Sequence, residues 1–329
     1  MKRLLLAAGL AFGLSALTPA WAADIPATPE DGPVRMATNP WLGYGPWYIA
    51  QEKGLFKKNG LSDVSITNFD SGKEMMAAIS SGQVDAANFA TNNILQLMQV
   101  ANDAAVVVLL EDFSLTADAI LSKDISDIKG IKGKQVAFAE GETSDVLLNY
   151  ALAKNGMTID DITRVPMPAA QAGTALIAGQ VPVAVTYEPY IGSALAQDKD
   201  AKIIYSAGED PGLISDVLVV SKEMLEKRPG QVLALINSWR DSVNYYQTNT
   251  QDGRAIIAKA VGAPLEDLKT AFDGVRFYSL ADNKKYLSGE FQTKVVPDIQ
   301  KAMIAAKMLD GPVDTKAMID TRFVEAAKD

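Results

Sequence analysis

Short strand-like runs and longer stretches of helical spacing alternate along the chain from residue 33 to residue 221. The segments 33–39 (PVRMATN), 64–69 (VSITNF), 85–90 (DAANFA) and 105–112 (AVVVLLED) are short, rich in β-formers and bounded by turn or polar residues, which predicts buried strands. Between them, 46–60, 71–82 and 91–102 carry helical patterns. Pro46 sits in a first turn, Gly60 and Gly82 stand near helix ends, and Thr91 is a predicted N-cap. The rhythm restarts with strands predicted over 134–140, 161–167, 181–188 and 201–207 and helices over 143–156 and 168–180, and one more strand falls at 215–221. From Lys222 onward almost only helices are expected, among them 230–249 and 293–311. Strands alternating with helices of this length imply an α/β protein with parallel sheets covered on both faces.

One unit occurs twice. SGQVDAANFATN (81–92) and AGQVPVAVTYEP (178–189) share Gly-Gln-Val, an apolar run and an abrupt polar end, and each follows a small-residue helical stretch. A spacing near one hundred residues is too long for a solenoid, so the echoes are read as equivalent β-α units of two α/β lobes. Ligands of open α/β sheets bind outside the C-terminal ends of the strands, so two facing lobes would enclose a cleft lined by the residues that close each strand.

Those residues are mostly aromatic, acidic or hydroxylic. The first strand is followed by Asn39, Trp41, Tyr44 and Trp47, with Gly43 and Gly45 between them. Asp70 and Ser71 follow the second strand, and Thr91 and Asn92 the third. Glu111, Asp112 and Ser114 follow next, then Thr143 and Ser144 at a helix start, then Glu188 and Tyr190 after the second echo. Asp216 opens the strand at 215–221. Side chains alternate along a strand, so of Glu111 and Asp112 only one is expected in the cleft, and Asp112 shares its face with Ser114. No Lys or Arg closes a strand; the nearest is Lys73, inside a helix. Such a cleft suits a ligand bearing an ammonium, a guanidinium or several N–H donors, while a helix start such as Thr143-Ser144 offers N–H groups to an anion. Plainer roles stand beside these: Thr91, Thr143 and Ser144 as N-caps, Trp47 as core, and part of the acidic set as solvated loop. Glu188, held between Tyr187, Pro189 and Tyr190, is not an ordinary solvated acid.

Composition narrows the chemistry. The chain has 329 residues with no Cys and no His. That excludes disulfides, Cys-type zinc sites, thiolate nucleophiles and Ser-His-Asp triads. Dinucleotide and phosphate loops fail on spacing, and Ser126-Asp-Ile-Lys129 matches Ser-x-x-Lys without its companion motifs. No cofactor or metal is expected. Residues 1–22 carry Lys2 and Arg3, an apolar run and Ala20-Trp21-Ala22, the layout of an export signal cut near Ala22, with no Cys following for a lipid anchor. Removing Lys2 and Arg3 leaves 29 basic against 40 acidic residues, a net −11, which argues against nucleic acid as a partner. Residues 23–32, polar and Pro-rich, are expected to form a flexible lead.

Several stretches together resemble the periplasmic substrate-binding proteins of ABC importers in the nitrate/sulfonate/taurine and thiamine-precursor class. They are WLGYGPWYIAQEKGLF, AAISSGQVDAA, LLEDFSLTADAIL, the segment 128–162, ALIAGQVPVAVTYEPY and SDVLVVSKEML. The resemblance implies a two-lobed periplasmic-binding-protein fold of type II, with crossovers near 114–119 and 215–219. The first lobe would then take 33–115 and 216–329, and the second 116–215. It implies a monomer in the periplasm that closes on a small molecule and delivers it to a membrane permease with its cytoplasmic ATPase, without catalysis. Family contacts carry over to Trp41, Tyr44, Asn92, Asp112, Ser144, Glu188 and Asp216. Thr116 stands where related chains often have Gly, so the backbone there is expected to approach the ligand less closely. A simple anion is the alternative ligand, a zwitterionic aminosulfonate or an amine-bearing pyrimidine the one that best joins both lines, and an exported carboxylate hydrolase the rival function. A synthase of the thiamine-precursor type would need the His and Cys this chain lacks.

Overall fold

In a computed structural model, residues 25–102, 104–269 and 271–328 are described. The expected export signal lies outside the described residues. Eleven strands form two sheets: β1 (Val34–Thr38), β2 (Val64–Asn68), β3 (Ala86–Ala90), β4 (Ala105–Ser114), β5 (Asp118–Ser122), β6 (Gln135–Phe138), β7 (Thr163–Pro166), β8 (Val183–Tyr187), β9 (Lys202–Ser206), β10 (Ser215–Ser221) and β11 (Val275–Phe277). The first sheet has the order β11-β4-β10-β3-β1-β2 and the second β7-β6-β8-β5-β9.

The two orders superpose. β2-β1-β3-β10-β4 matches β7-β6-β8-β5-β9 strand for strand, and only β11 has no counterpart. In each sheet a central strand runs against both its neighbours: β10 lies antiparallel between β3 and β4, and β5 antiparallel between β8 and β9, while β11 adds an antiparallel edge to the first sheet. These are the strands that enter each sheet after the chain has crossed from the other. The two sequence echoes occupy the equivalent central strands β3 and β8. The duplication therefore reports two lobes built on one plan.

The chain leaves the first sheet at Ser114 and enters the second at Asp118; it returns between Ser206 and Ser215. The second crossover thus precedes 215–219, because β10 pairs along its whole length with β3 and β4. The helix expected over 46–60 is two pieces, Gly45–Glu52 and Leu55–Lys58, broken at Gly54, whose φ of +66° is left-handed. β5 and β11 are strands that the apolar pattern did not predict. Thr91 begins its helix rather than capping it, and the cap of Thr143–Lys154 is Glu142.

Glu30 and Gly32, in the segment expected as a lead, are tied to the helix Pro229–Thr248. Glu30 accepts from the backbone N–H groups of Gly230 and Gln231, at 3.1 and 2.9 Å, at the start of the helix Pro229–Thr248. The Gln231 amide donates back to the carbonyls of Glu30 and Gly32. A carboxylate on the exposed N–H groups of a long helix is favourable, which offsets the polar composition of the lead. In the first lobe, Trp47 packs on Trp239 with ring centroids 5.0 Å apart and donates to Glu111 at 2.6 Å. Among the described residues no helix is long and apolar enough to cross a membrane.

Candidate functional site

Between the lobes lies a cavity of about 800 Å³, bordered by the edges where β1, β3, β6 and β8 end and where β5 and β10 begin. Trp41, Tyr44 and Asp216 line it from the first lobe and Asp118, Tyr187 and Tyr190 from the second. Asp70 stands exposed at its margin beside Ser71, which caps the helix Gly72–Ser80 by accepting from the Glu74 N–H at 3.3 Å. Thr143 and Ser144 line it at the start of their helix, where the Ser144 hydroxyl also closes a turn onto the backbone of Ala139.

Asp216 stands opposite Ala90 on one side and Asp112 on the other. The register slips after Asp216 so that Glu111 has no partner on β10, a bulge at which Glu111 and Asp112 take different partners. Glu111 goes to Trp47 and Asp112 to Trp41, whose indole N–H donates to it at 3.3 Å. Tyr44 donates to Asp216 at 2.8 Å. Gly43 permits this approach: a Cβ there would fall 2.0 Å from a carboxylate oxygen of Asp112 and 2.2 Å from the indole nitrogen of Trp41. Burial and mutual repulsion raise the proton affinity of the Asp112–Asp216 pair well above that of an ordinary carboxyl, and Tyr44 and Trp41 hold it partly in check.

The second lobe offers the equivalent of Asp216. Asp118 opens β5 as Asp216 opens β10, and it stands opposite Tyr187. Burial pushes its carboxyl up to about 7, against the neighbouring Ser114 hydroxyl and with the charges of Asp216 and Glu188 adding to the rise. One of its oxygens is buried without a protein partner. The aromatic rings complete the walls: Trp41 meets Tyr187 edge-on across the lobes at 5.9 Å, and Tyr187 meets Tyr190 at 5.3 Å.

Five expected contacts stand behind this wall. Thr91 donates to the Ser215 carbonyl at 3.0 Å and ties its helix to β10. Asn92 accepts from Thr143 at 3.2 Å. Asp112 is fully buried beneath Trp41, and Ser114 stands beside Asp118. Glu188 turns away to accept from the Gly192 N–H at 2.9 Å, and burial pushes it up to about 7. Thr116 is exposed and packs on Gly274, outside the lining of the cavity. Lining residues not singled out as contacts from the sequence include Asp118, Glu142, Tyr187 and Asn93. Asp118 falls in β5, a strand the apolar pattern does not predict; β5 runs backwards, so its first residue lies where its neighbours finish. The signal was present in Asp216, which also opens a strand.

Paired lobes with twin crossovers and carboxylates of both at one cavity define the two-lobed fold of periplasmic binding proteins. The aliphatic sulphonate binding protein SsuA of Escherichia coli shares it with a TM-score of 0.74 at 19% identity, over 89% of this chain and 93% of that one. The alkanesulfonate-binding SsuA of Xanthomonas axonopodis pv. citri, solved with MOPS, has a TM-score of 0.72 at 18% identity, over 91% of this chain and all (100%) of that one. By sequence, residues 41–252 match the family described as NMT1/THI5 like, and the chain belongs to that family. The taurine-binding periplasmic protein of E. coli strain K12 is 22% identical over 289 residues, 85% of this chain and 89% of its own.

Proposed function

We propose that this protein is the substrate-binding component of an ABC import system and that its ligand is a small polar solute with a positive nitrogen or several N–H donors. Amines, guanidines, aminosulfonate zwitterions and amine-bearing pyrimidines fit that description. The observation that carries the reading is the pair Asp216 and Asp118, one from each lobe at equivalent strand starts, both buried and both lining the cavity. A cation between them relieves two desolvated carboxyls at once, and the relief requires both lobes to be close. That difference in affinity between closed and open forms is what drives hinge closure. Aromatic faces of Trp41, Tyr187 and Tyr190 add cation–π attraction. The sulfonate- and taurine-binding names of the relatives support a binding role, and that of the taurine-binding relative a place in the periplasm. With neither His nor Cys in the sequence, a catalytic role has little to work with.

Calorimetric titration of the mature protein against amines, guanidines, aminosulfonates, aminopyrimidines and simple anions tests the reading. A nitrogen-bearing ligand should bind, with its affinity lowered at least about tenfold in Asp118→Asn and in Asp216→Asn, each about the loss of one charge-assisted contact. Binding of nitrate or alkylsulfonates alone, unaffected by both changes, would refute it.

A further inference from the structure

The cavity holds one feature that should attract anions and a second that removes the attraction. The helix Gly72–Ser80 points its first N–H groups at the cavity, and Lys73 is the one Lys or Arg among the lining residues. A helix start with an ammonium beside it is a ready anion site. That corner is filled from the opposite lobe. Glu142 caps the helix Thr143–Lys154 without using its own side chain for the purpose. Its carboxylate instead shares the cavity wall with Gly72, Lys73 and Asn93, and a Cβ on the adjacent Gly141 would lie 3.4 Å from the Lys73 ammonium; burial raises the proton affinity of Glu142, and the N–H groups and charge of that corner partly oppose the rise. The neighbours of Glu142 hold it there. Gln96 donates to the Gly141 carbonyl at 3.0 Å, and Thr143 donates to Asn92 at 3.2 Å, both bonds crossing between lobes.

We propose that Glu142 is a specificity-determining residue: it occupies the cleft's anion-receiving corner as a built-in carboxylate and so bars ligands that present a bare anionic group there. This rests on the reading of the cavity as one for nitrogen-bearing solutes and explains how a fold shared with sulfonate binders is turned against simple anions. An anion approaching Gly72 and Lys73 meets a carboxylate that already faces the same corner. It must either displace that carboxylate or sit within repulsive distance of it.

Methanesulfonate and sulfate are titrated against the mature protein, Glu142→Gln and Glu142→Ala, with melting curves confirming folding. Both variants should bind at least one of the two anions about tenfold or more tighter than the unaltered protein. Adding Lys73→Ala to Glu142→Ala should abolish the gain. The proposal is overturned by folded variants without any gain, or by unaltered protein that already binds these anions as tightly. A parallel titration with amines reads the underlying assignment separately. Amine binding absent while the anion gain is present sinks the amine assignment and leaves Glu142 as the barrier, whereas amine binding without an anion gain does the reverse.

Discussion

Asp118 sets a pH dependence that can be worked from the structure. Its carboxyl has an ordinary value of 3.8 and is pushed up to about 7 in the folded protein, chiefly by burial. The folded state therefore binds more protons than the unfolded state between those values, so stability falls as pH rises through that window and levels off above about 7. Integrating from pH 5 to pH 8 gives a loss on the order of 2–3 kcal/mol from this one group. Asp118→Asn keeps the shape and removes the titration, so its stability should fall by about 2–3 kcal/mol less over the same interval. Urea denaturation of ligand-free protein, followed by tryptophan fluorescence at pH 5 and pH 8, measures the difference. Glu188, also raised to about 7, continues to titrate in the variant, so the variant's curve is flatter rather than flat. Identical pH dependence in the two proteins would refute the placement of a desolvated carboxyl at this wall.

Other expectations follow from the same contacts. Gly43→Ala drives a methyl into Asp112 and Trp41, and should cost about 1–3 kcal/mol in a denaturant titration; an unchanged midpoint would contradict the close approach. Glu30→Ala removes the acceptor for two N–H groups of the helix Pro229–Thr248 and should cost about 0.5–2 kcal/mol, with faster hydrogen exchange at Gly230 and Gln231. Unaltered exchange at both amides would show the lead to be free after all. Tyr44→Phe deprives buried Asp216 of its 2.8 Å donor and should destabilise by about 1–3 kcal/mol at pH 8, with a smaller effect at pH 5, where the carboxyl holds its proton more often. Equal effects at the two pH values would argue that Asp216 does not titrate in this range.

The alternation of short strands and helices made the two-lobed fold legible, because each buried strand needs its own run of β-formers and each covering helix its own apolar stripe. The echo at 81–92 and 178–189 went further and marked the equivalent central strands β3 and β8. Trp41, Tyr44, Asp70, Thr143, Ser144, Tyr190 and Asp216 were legible as cavity residues for one reason: loops that close parallel strands gather at one edge. Asn92 and Glu188 lie at the same edge but outside the lining, the Asn92 carbonyl accepting from Thr143 and the Glu188 carboxylate from Gly192, since spacing fixes which edge a residue occupies but not which way it turns. The rule fell short at Asp118 and Glu142. Asp118 lies in a crossover strand whose direction depends on a partner about seventy residues away, and the role of Glu142 depends on a helix in the other lobe. Neither relation is local, so neither leaves a periodic trace.

The most direct test of the acidic, aromatic cleft is to identify what fills it. The protein is expressed from its full-length sequence, released from cells without denaturant, and examined by native mass spectrometry with dissociation of any retained ligand. A released small molecule containing a basic or N–H-rich nitrogen, lost from the Asp118→Asn and Asp216→Asn proteins, is the predicted result. Retention of a nitrogen-free anion, unchanged by those two substitutions, would contradict the account.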